Sequence, residues 1–300
     1  MIVHLGGGSL AEARLTAHRF LEATAPHVRR VTISKRQARI ERRRMADKVI
    51  LTRKLRAEIE KALRQMTDRF KAALAMHGIH EDEGAADYDD LRDRIRIAFE
   101  TLSGHDLEVA ISAIVAEALS SGVTDAISEL GIETTFHVAQ TQALRALSDQ
   151  TLKFVLDIVD REKAAIKAEL EDGISLGLGI PQISKNILSS LDNEVHYVDD
   201  DGKVSRTIPS DAWAEMVART EVARAQNQGI LATYAAAGVE RITWVASSDA
   251  CDYCAELDGE TIDLGDDFDG GVDAPPLHPN CRCTTVSATV EDEAELAAAA

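Results

Sequence analysis

The chain has 300 residues, 45% of them hydrophobic and 28% charged, a composition that suits a globular protein with room for two cores and excludes fibrous and membrane-embedded classes. No run approaches the roughly 18 to 20 apolar residues of a membrane-spanning helix, and Met1 to Leu10 lacks the basic start and apolar stretch of a signal peptide, so a reducing cytoplasm is the expected first environment. The net charge of -18 hides an asymmetry: residues 1 to 80 hold 18 Lys+Arg against 7 Asp+Glu, while the remainder is strongly acidic.

Aromatic residues make up only 4%, so the core is built from Ala, Leu, Ile and Val, which favours helix-on-helix packing. In chain order, Ser9 followed by Glu12 is a capping-box pattern that starts a helix after Gly6-Gly7-Gly8, and Pro26 ends or kinks it. Leu55, Ile59, Leu63, Met66, Phe70 and Leu74 recur every three or four positions and form the packing stripe of a long helix. Arg and Lys fill its other faces, and the basic residues 29 to 71 are a candidate contact for DNA or for an acidic protein surface. After a polar loop at 77–90, helical patterns run over Leu91 to Leu102, Leu107 to Leu119 and Leu152 to Leu170, separated by Gly104, Gly122 and Gly131. A helical bundle is expected up to about Asp172.

Gly173, Gly177 and Gly179 then punctuate the chain, and Pro181 opens a short helix. Val195 to Val198 and Val204 to Ile208 flank Asp199-Asp200-Asp201-Gly202 as a small hairpin. Asp211 to Ala237 reads as helix stopped by Gly238, and three β-prone runs follow: Arg241 to Val245, Glu260 to Ile262 and Thr284 to Thr289. The acidic stretch Asp263 to Asp273 lacks the closing Glu of a calcium loop and reads as solvated; residues 291–300 read as an acidic, Ala-rich tail.

Chemistry concentrates in the C-terminal third. All four cysteines fall between Cys251 and Cys283, a clustering that points to one local site rather than a disulfide framework. Cys251-Asp252-Tyr253-Cys254 offers a thiolate pair from one turn, and His278-Pro279-Asn280-Cys281-Arg282-Cys283 offers a second pair. Cys251, Cys254, His278 and Cys281 are the expected tetrahedral set for a structural zinc ion. Cys283 is the substitute, because a Cys-x-Cys pair does not easily turn both sulfurs onto one small ion. Disulfides formed after cell lysis, or buried free thiols, are the alternatives.

Ala218-Arg219-Thr220-Glu221 continuing through Ala225-Gln226-Asn227-Gln228-Gly229, then Trp244, Asp249, Cys251-x-x-Cys254, Leu257-Asp258-Gly259 and Pro275-Pro276-Leu277-His278-Pro279-Asn280-Cys281-Arg282-Cys283, together resemble the phage Mu F-like head-morphogenesis domain over about residues 165 to 288. The hairpin around Asp199 to Gly202 is an insertion relative to that pattern. The resemblance implies a minor capsid protein of a tailed phage or prophage that takes part in procapsid assembly and in DNA packaging or delivery, with the portal and other head proteins as partners. It implies a location in the virion head interior or portal vertex. A non-catalytic role follows from the same resemblance. Arg219 and Glu221 lie two apart, so they reach different neighbours; Arg219 is expected to hold an acceptor on the cysteine module and Glu221 to accept hydrogen bonds from its turns. Trp244 is expected in the core of the small sheet.

The fold expected is mainly α, a helical bundle with a C-terminal α+β module containing a small antiparallel sheet and a Cys/His cluster. Its domains are a helical region 1–164, basic then acidic, the Mu F-like domain 165–290, and the tail. The rival functions are a zinc-dependent nucleic-acid-binding protein and a treble-clef nuclease of the HNH kind. The nuclease needs a His base and further ligands on an adjoining helix, and the chain after Cys283 offers none. A nucleotide-transfer site built on Arg219 and Glu221 lacks an NAD-binding pattern.

Overall fold

The computed structural model describes residues 33–79, 87–100, 105–132, 160, 163–190, 194–198, 204–290, 292 and 294–295. The Ser9 capping box, Pro26, the Asp199–Gly202 turn and most of the tail lie outside the described residues, as does the start of the helix expected from Leu152. The described residues are mostly helical, with a small antiparallel sheet in the C-terminal part, as the composition and periodicity require.

Helix α1 is Lys35–Met76. Ser34 and Gln37 cap its start reciprocally: the Ser34 N–H donates to Gln37 Oε1 at 2.8 Å and the Gln37 N–H to Ser34 Oγ at 3.1 Å. Gly78, at φ +73°, closes its end in the left-handed conformation, with the Ile79 N–H returning to the Leu74 carbonyl. Two compact units divide the chain.

One unit comprises the described residues of Arg53–Ala113 and Ser148–Ala218. The expected stripe of Leu55, Ile59, Leu63, Met66, Phe70 and Leu74 is buried in it. Helix α2, Tyr88–Phe99, is capped by Asp87 and buries Leu91, Ile95 and Ala98; its Phe99 stacks on Phe70 with centroids 5.9 Å apart. Helix α4 occupies 163–175 and α5 Ile180–Ser190. Gly173 does not break α4. It is a helical position whose missing side chain leaves room for Ile183, and the turn comes at Gly177, φ +69°. Strands β1 (Glu194–Val198) and β2 (Val204–Pro209) pair antiparallel as the expected hairpin.

The other unit comprises the described residues of Met1–Thr52, Ile114–Leu147 and Arg219–Ala300, so residues before position 164 share a core with the cysteine module. Its sheet runs β4 (Thr261–Asp263), β3 (Arg241–Val245), β5 (Thr284–Ser287), all antiparallel. Alternation along β3 sends Ile242 and Trp244 toward Tyr234, Phe268, Leu257 and three of the cysteines, and sends Val245 toward Ile33 and Val286. Both faces of β3 are therefore covered. Trp244 is fully buried, edge-on to Phe268 at 5.2 Å, as expected of a core residue.

Two long helices also contribute here: α3, His105–Leu130, and α6, Ser210–Ala237, the latter stopped at Gly238 with φ +72°. Gly122, read from the sequence as a separator, lies inside α3. A methyl group at Gly122 would overlap the Gln226 carbonyl oxygen, and one at Gly229 would overlap that of Leu119, so the glycines allow close approach of α3 and α6 rather than ending a helix. The segment Ile111–Leu130 of α3 is apolar enough by length and composition to cross a membrane, with mean hydropathy 1.2, but half of it is buried inside the protein. Its Glu129 sits in a buried network with Arg44, Arg36, Tyr234 and Ser287, and Arg36 also pairs with Asp292 at 2.8 Å.

Candidate metal centre

Short helix α7, Asp252–Glu256, begins at Cys251, whose extended backbone turns the chain into the helix and carries Cys254 onto the buried side. The second knuckle is the turn His278 to Cys281, where the Cys281 N–H returns to the His278 carbonyl and Asn280 adopts φ +68°. His278 Nε2 lies 3.2 Å from both Cys251 Sγ and Cys254 Sγ, and Cys254 Sγ lies 3.8 Å from Cys281 Sγ. All four cysteines are free thiols.

Two ligand triplets result, Cys251–Cys254–His278 and Cys254–Cys281–Cys283, each with donor atoms within 4.8 Å of one another, and both can hold a metal ion. Cys254 belongs to both. The expected quartet is divided between them: Cys251, Cys254 and His278 fall in one triplet, and Cys281 falls with Cys254 and Cys283 in the other. His278 is oriented for ligation: its Nδ1 lies 2.7 Å from the Pro279 carbonyl, and donating a proton there leaves the Nε2 lone pair facing the sulfurs.

The electrostatics agree. Hydrogen bonds from Cys254 and His278 pull the Cys251 thiol down to about 4 despite burial. The Cys254 and Cys283 thiol hydrogen bonds hold Cys281 well below the ordinary thiol range. Donation to Cys251 and Cys281, with burial, pushes Cys254 up. Burial lowers His278, but the hydrogen bond to Cys251 and the charge of Cys281 outweigh it and raise it. Cys251 and Cys281 are thus the sulfurs most ready to act as thiolates, and a divalent cation would compete with protons for them. Sulfur and imidazole donors suit zinc among the divalent metals.

The motif helix reaches this module through Thr220, whose Oγ1 accepts the Asn280 N–H at 3.0 Å. Glu221, expected to serve the module's turns, is buried and pairs with Arg224 on its own helix. Arg219 is half-buried on α6. Asn227 performs the tie that Glu221 was expected to make: its Oδ1 accepts from Thr284 Oγ1 at 3.1 Å and the Thr285 N–H at 3.2 Å, and its Nδ2 lies 3.3 Å from the Cys283 carbonyl. Asp249, also in the motif set, pairs with Arg282. Asp258 Oδ1 accepts the Ala246 N–H at 2.7 Å, locking the loop after β3. The acidic loop keeps Asp266, Asp267 and Asp269 exposed while burying Phe268.

No curated protein and no solved structure matches the chain. Residues 164–286 match the family model described as Phage Mu protein F like protein, a span that contains the α6 motif, the sheet up to Val286 and both knuckles. Over residues 164–286 the chain is therefore similar to the phage Mu protein F-like family.

Proposed function

We propose that the chain is a minor head protein of a tailed phage or prophage, a non-catalytic, portal-associated component of procapsid assembly with a zinc-stabilised C-terminal module. The observation that carries the reading is the match over residues 164–286, whose characteristic residues converge on one module: Thr220 and Asn227 on α6 hold the turns that bear His278, Cys281 and Cys283. In this reading the cysteines and His278 hold the zinc and crosslink two turns of a small sheet, and Trp244 packs beneath them.

The partners are the portal and neighbouring head proteins, and the sites of action are the host cytoplasm during assembly and the head interior or portal vertex afterwards. The full chain, co-expressed with the portal and major capsid proteins of its own phage, is expected to sediment with procapsids in few copies per particle. A chain that stays at the top of the gradient with all partners present argues against the assembly role.

A contact with packaged DNA is a narrower possibility than the net charge of residues 1–80 suggests. Arg44 and Lys48 are buried, and Arg36, Arg56, Lys61 and Arg64 are in ion pairs; Arg39 and Arg42 are among the basic residues that are exposed. Binding through them weakens steeply as salt rises. Titration of the full chain with duplex DNA at two salt concentrations checks this, and salt-independent binding argues against it.

A further inference from the structure

A buried cation of the unit that holds the cysteines, Lys48 on α1, lies outside the family-matched segment. Its side chain is 3% exposed. Nζ lies 3.0 Å from the Arg282 carbonyl and 2.7 Å from the Cys283 carbonyl, the two peptide oxygens that follow Cys281. Asn227 Nδ2 approaches the same Cys283 oxygen from the opposite partner helix, α6, at 3.3 Å. The backbone of the Cys281-Arg282-Cys283 turn is therefore gripped by two donors from different helices, while its sulfurs face Cys254.

We infer that Lys48 is a positioning residue of the metal centre, holding the Cys281-Arg282-Cys283 turn so that its sulfur is presented to the ion, and that the centre is completed by a helix lying outside the Mu F-like segment. This rests on the metal reading given above. A buried ammonium is costly to desolvate, and a packing role alone is served as well or better by an apolar side chain of similar length. What Met at this position does not supply is the pair of N–H donors to the two carbonyls. Without them the turn is free to rotate its peptide planes, and the direction of the Cys281 sulfur is no longer specified. Outer hydrogen bonds of this kind typically control metal affinity by about 10- to 100-fold.

The test uses the full chain as Lys48→Met and Lys48→Gln, with Zn2+ affinity measured by chelator competition, the Co2+ absorption spectrum recorded, and the thermal midpoint taken with chelator present. Lys48→Met is expected to bind Zn2+ about 10- to 100-fold more weakly and to change the Co2+ spectrum, whereas a lowered metal-free midpoint with wild-type affinity and spectrum is the mark of a packing role alone and would overturn the assignment. Lys48→Gln, which keeps one neutral donor, is expected to fall between the two, and it carries the test alone if Lys48→Met does not fold. Wild-type affinity and spectrum in the variants would overturn the role of Lys48 while leaving the metal centre standing. A wild-type chain that binds neither Zn2+ nor Co2+ would overturn the metal reading and this inference with it.

Discussion

Cys254 is the thiol on which both ligand triplets converge, and Cys283 belongs to one alone. Cys254→Ser is therefore expected to leave the purified chain with no bound metal, and Cys283→Ser to retain about one zinc per chain through the remaining four donors. Metal analysis of protein from zinc-supplemented cells reads both; metal lost from Cys283→Ser but kept in Cys251→Ser would move the ion to the deeper triplet. These candidate donors were legible in the sequence because they stand at short spacings of Cys and His on two tight turns. Lys48 left no such trace. It acts on Cys283 across 235 positions, and nothing in its neighbourhood separates a lysine that points inward from the solvated lysines and arginines around it. On α6, Thr220 accepts from Asn280 and Asn227 accepts from Thr284, while Glu221 pairs with Arg224; helix geometry alone does not say which of several polar side chains faces the knuckles.

At the scale of elements, the approach of α3 to α6 depends on the absence of two side chains. Gly122→Ala and Gly229→Ala each drive a methyl into a backbone oxygen of the opposite helix, and each is expected to destabilise the protein by about 1–3 kcal/mol although alanine is the better helix former. Denaturant midpoints check this; a stabilised Gly122→Ala would mean that the helices are not in close contact. The same α3 carries Asp125, whose Oδ2 is buried without a partner among the described residues while Oδ1 lies 3.4 Å from Arg43. Burial raises its carboxyl above the ordinary value against the opposing pull of Arg44 and Arg43, with Asp47 and Glu129 adding to the rise. An acid raised in the folded state binds its proton more tightly there. Its contribution is therefore most favourable below the unfolded value and is lost as pH rises through the folded one. Asp125→Asn should flatten that decline and leave stability at neutral pH unchanged or higher, as thermal midpoints across pH would register. The long apolar stripe of α1 was readable because period alone defines it. The continuity of α3 was not, since a glycine that ends a helix and a glycine that admits a neighbour look identical until the neighbour is known.

For the molecule as a whole, the compact units do not follow the family-matched segment: α1 supplies Arg36, Gln37, Arg44 and Lys48 to the unit that holds the sheet and the cysteines. Arg44→Met leaves Glu129 buried without its closest cation and should cost about 3–5 kcal/mol, a loss visible as a lowered thermal midpoint. A fragment of residues 164–300, which lacks α1, is expected to melt without a cooperative transition in circular dichroism, and a sharp wild-type transition would show that the module stands alone. Composition does not reveal this sharing, because it records where charges occur along the chain, not which of them turn inward. The bonding of Ser34 and Arg36 to Asp292, with the first of these pairs 258 positions apart, also has a consequence for synthesis. Until residues 281–292 have been made, α1 can meet Glu129 of α3 but not the Cys281-Arg282-Cys283 turn or Asp292, so closure of this unit waits on contacts of high sequence separation and is slow by the standard of a local helical bundle. The newly made protein passes through an interval in which a chaperone or an assembling partner meets an open form.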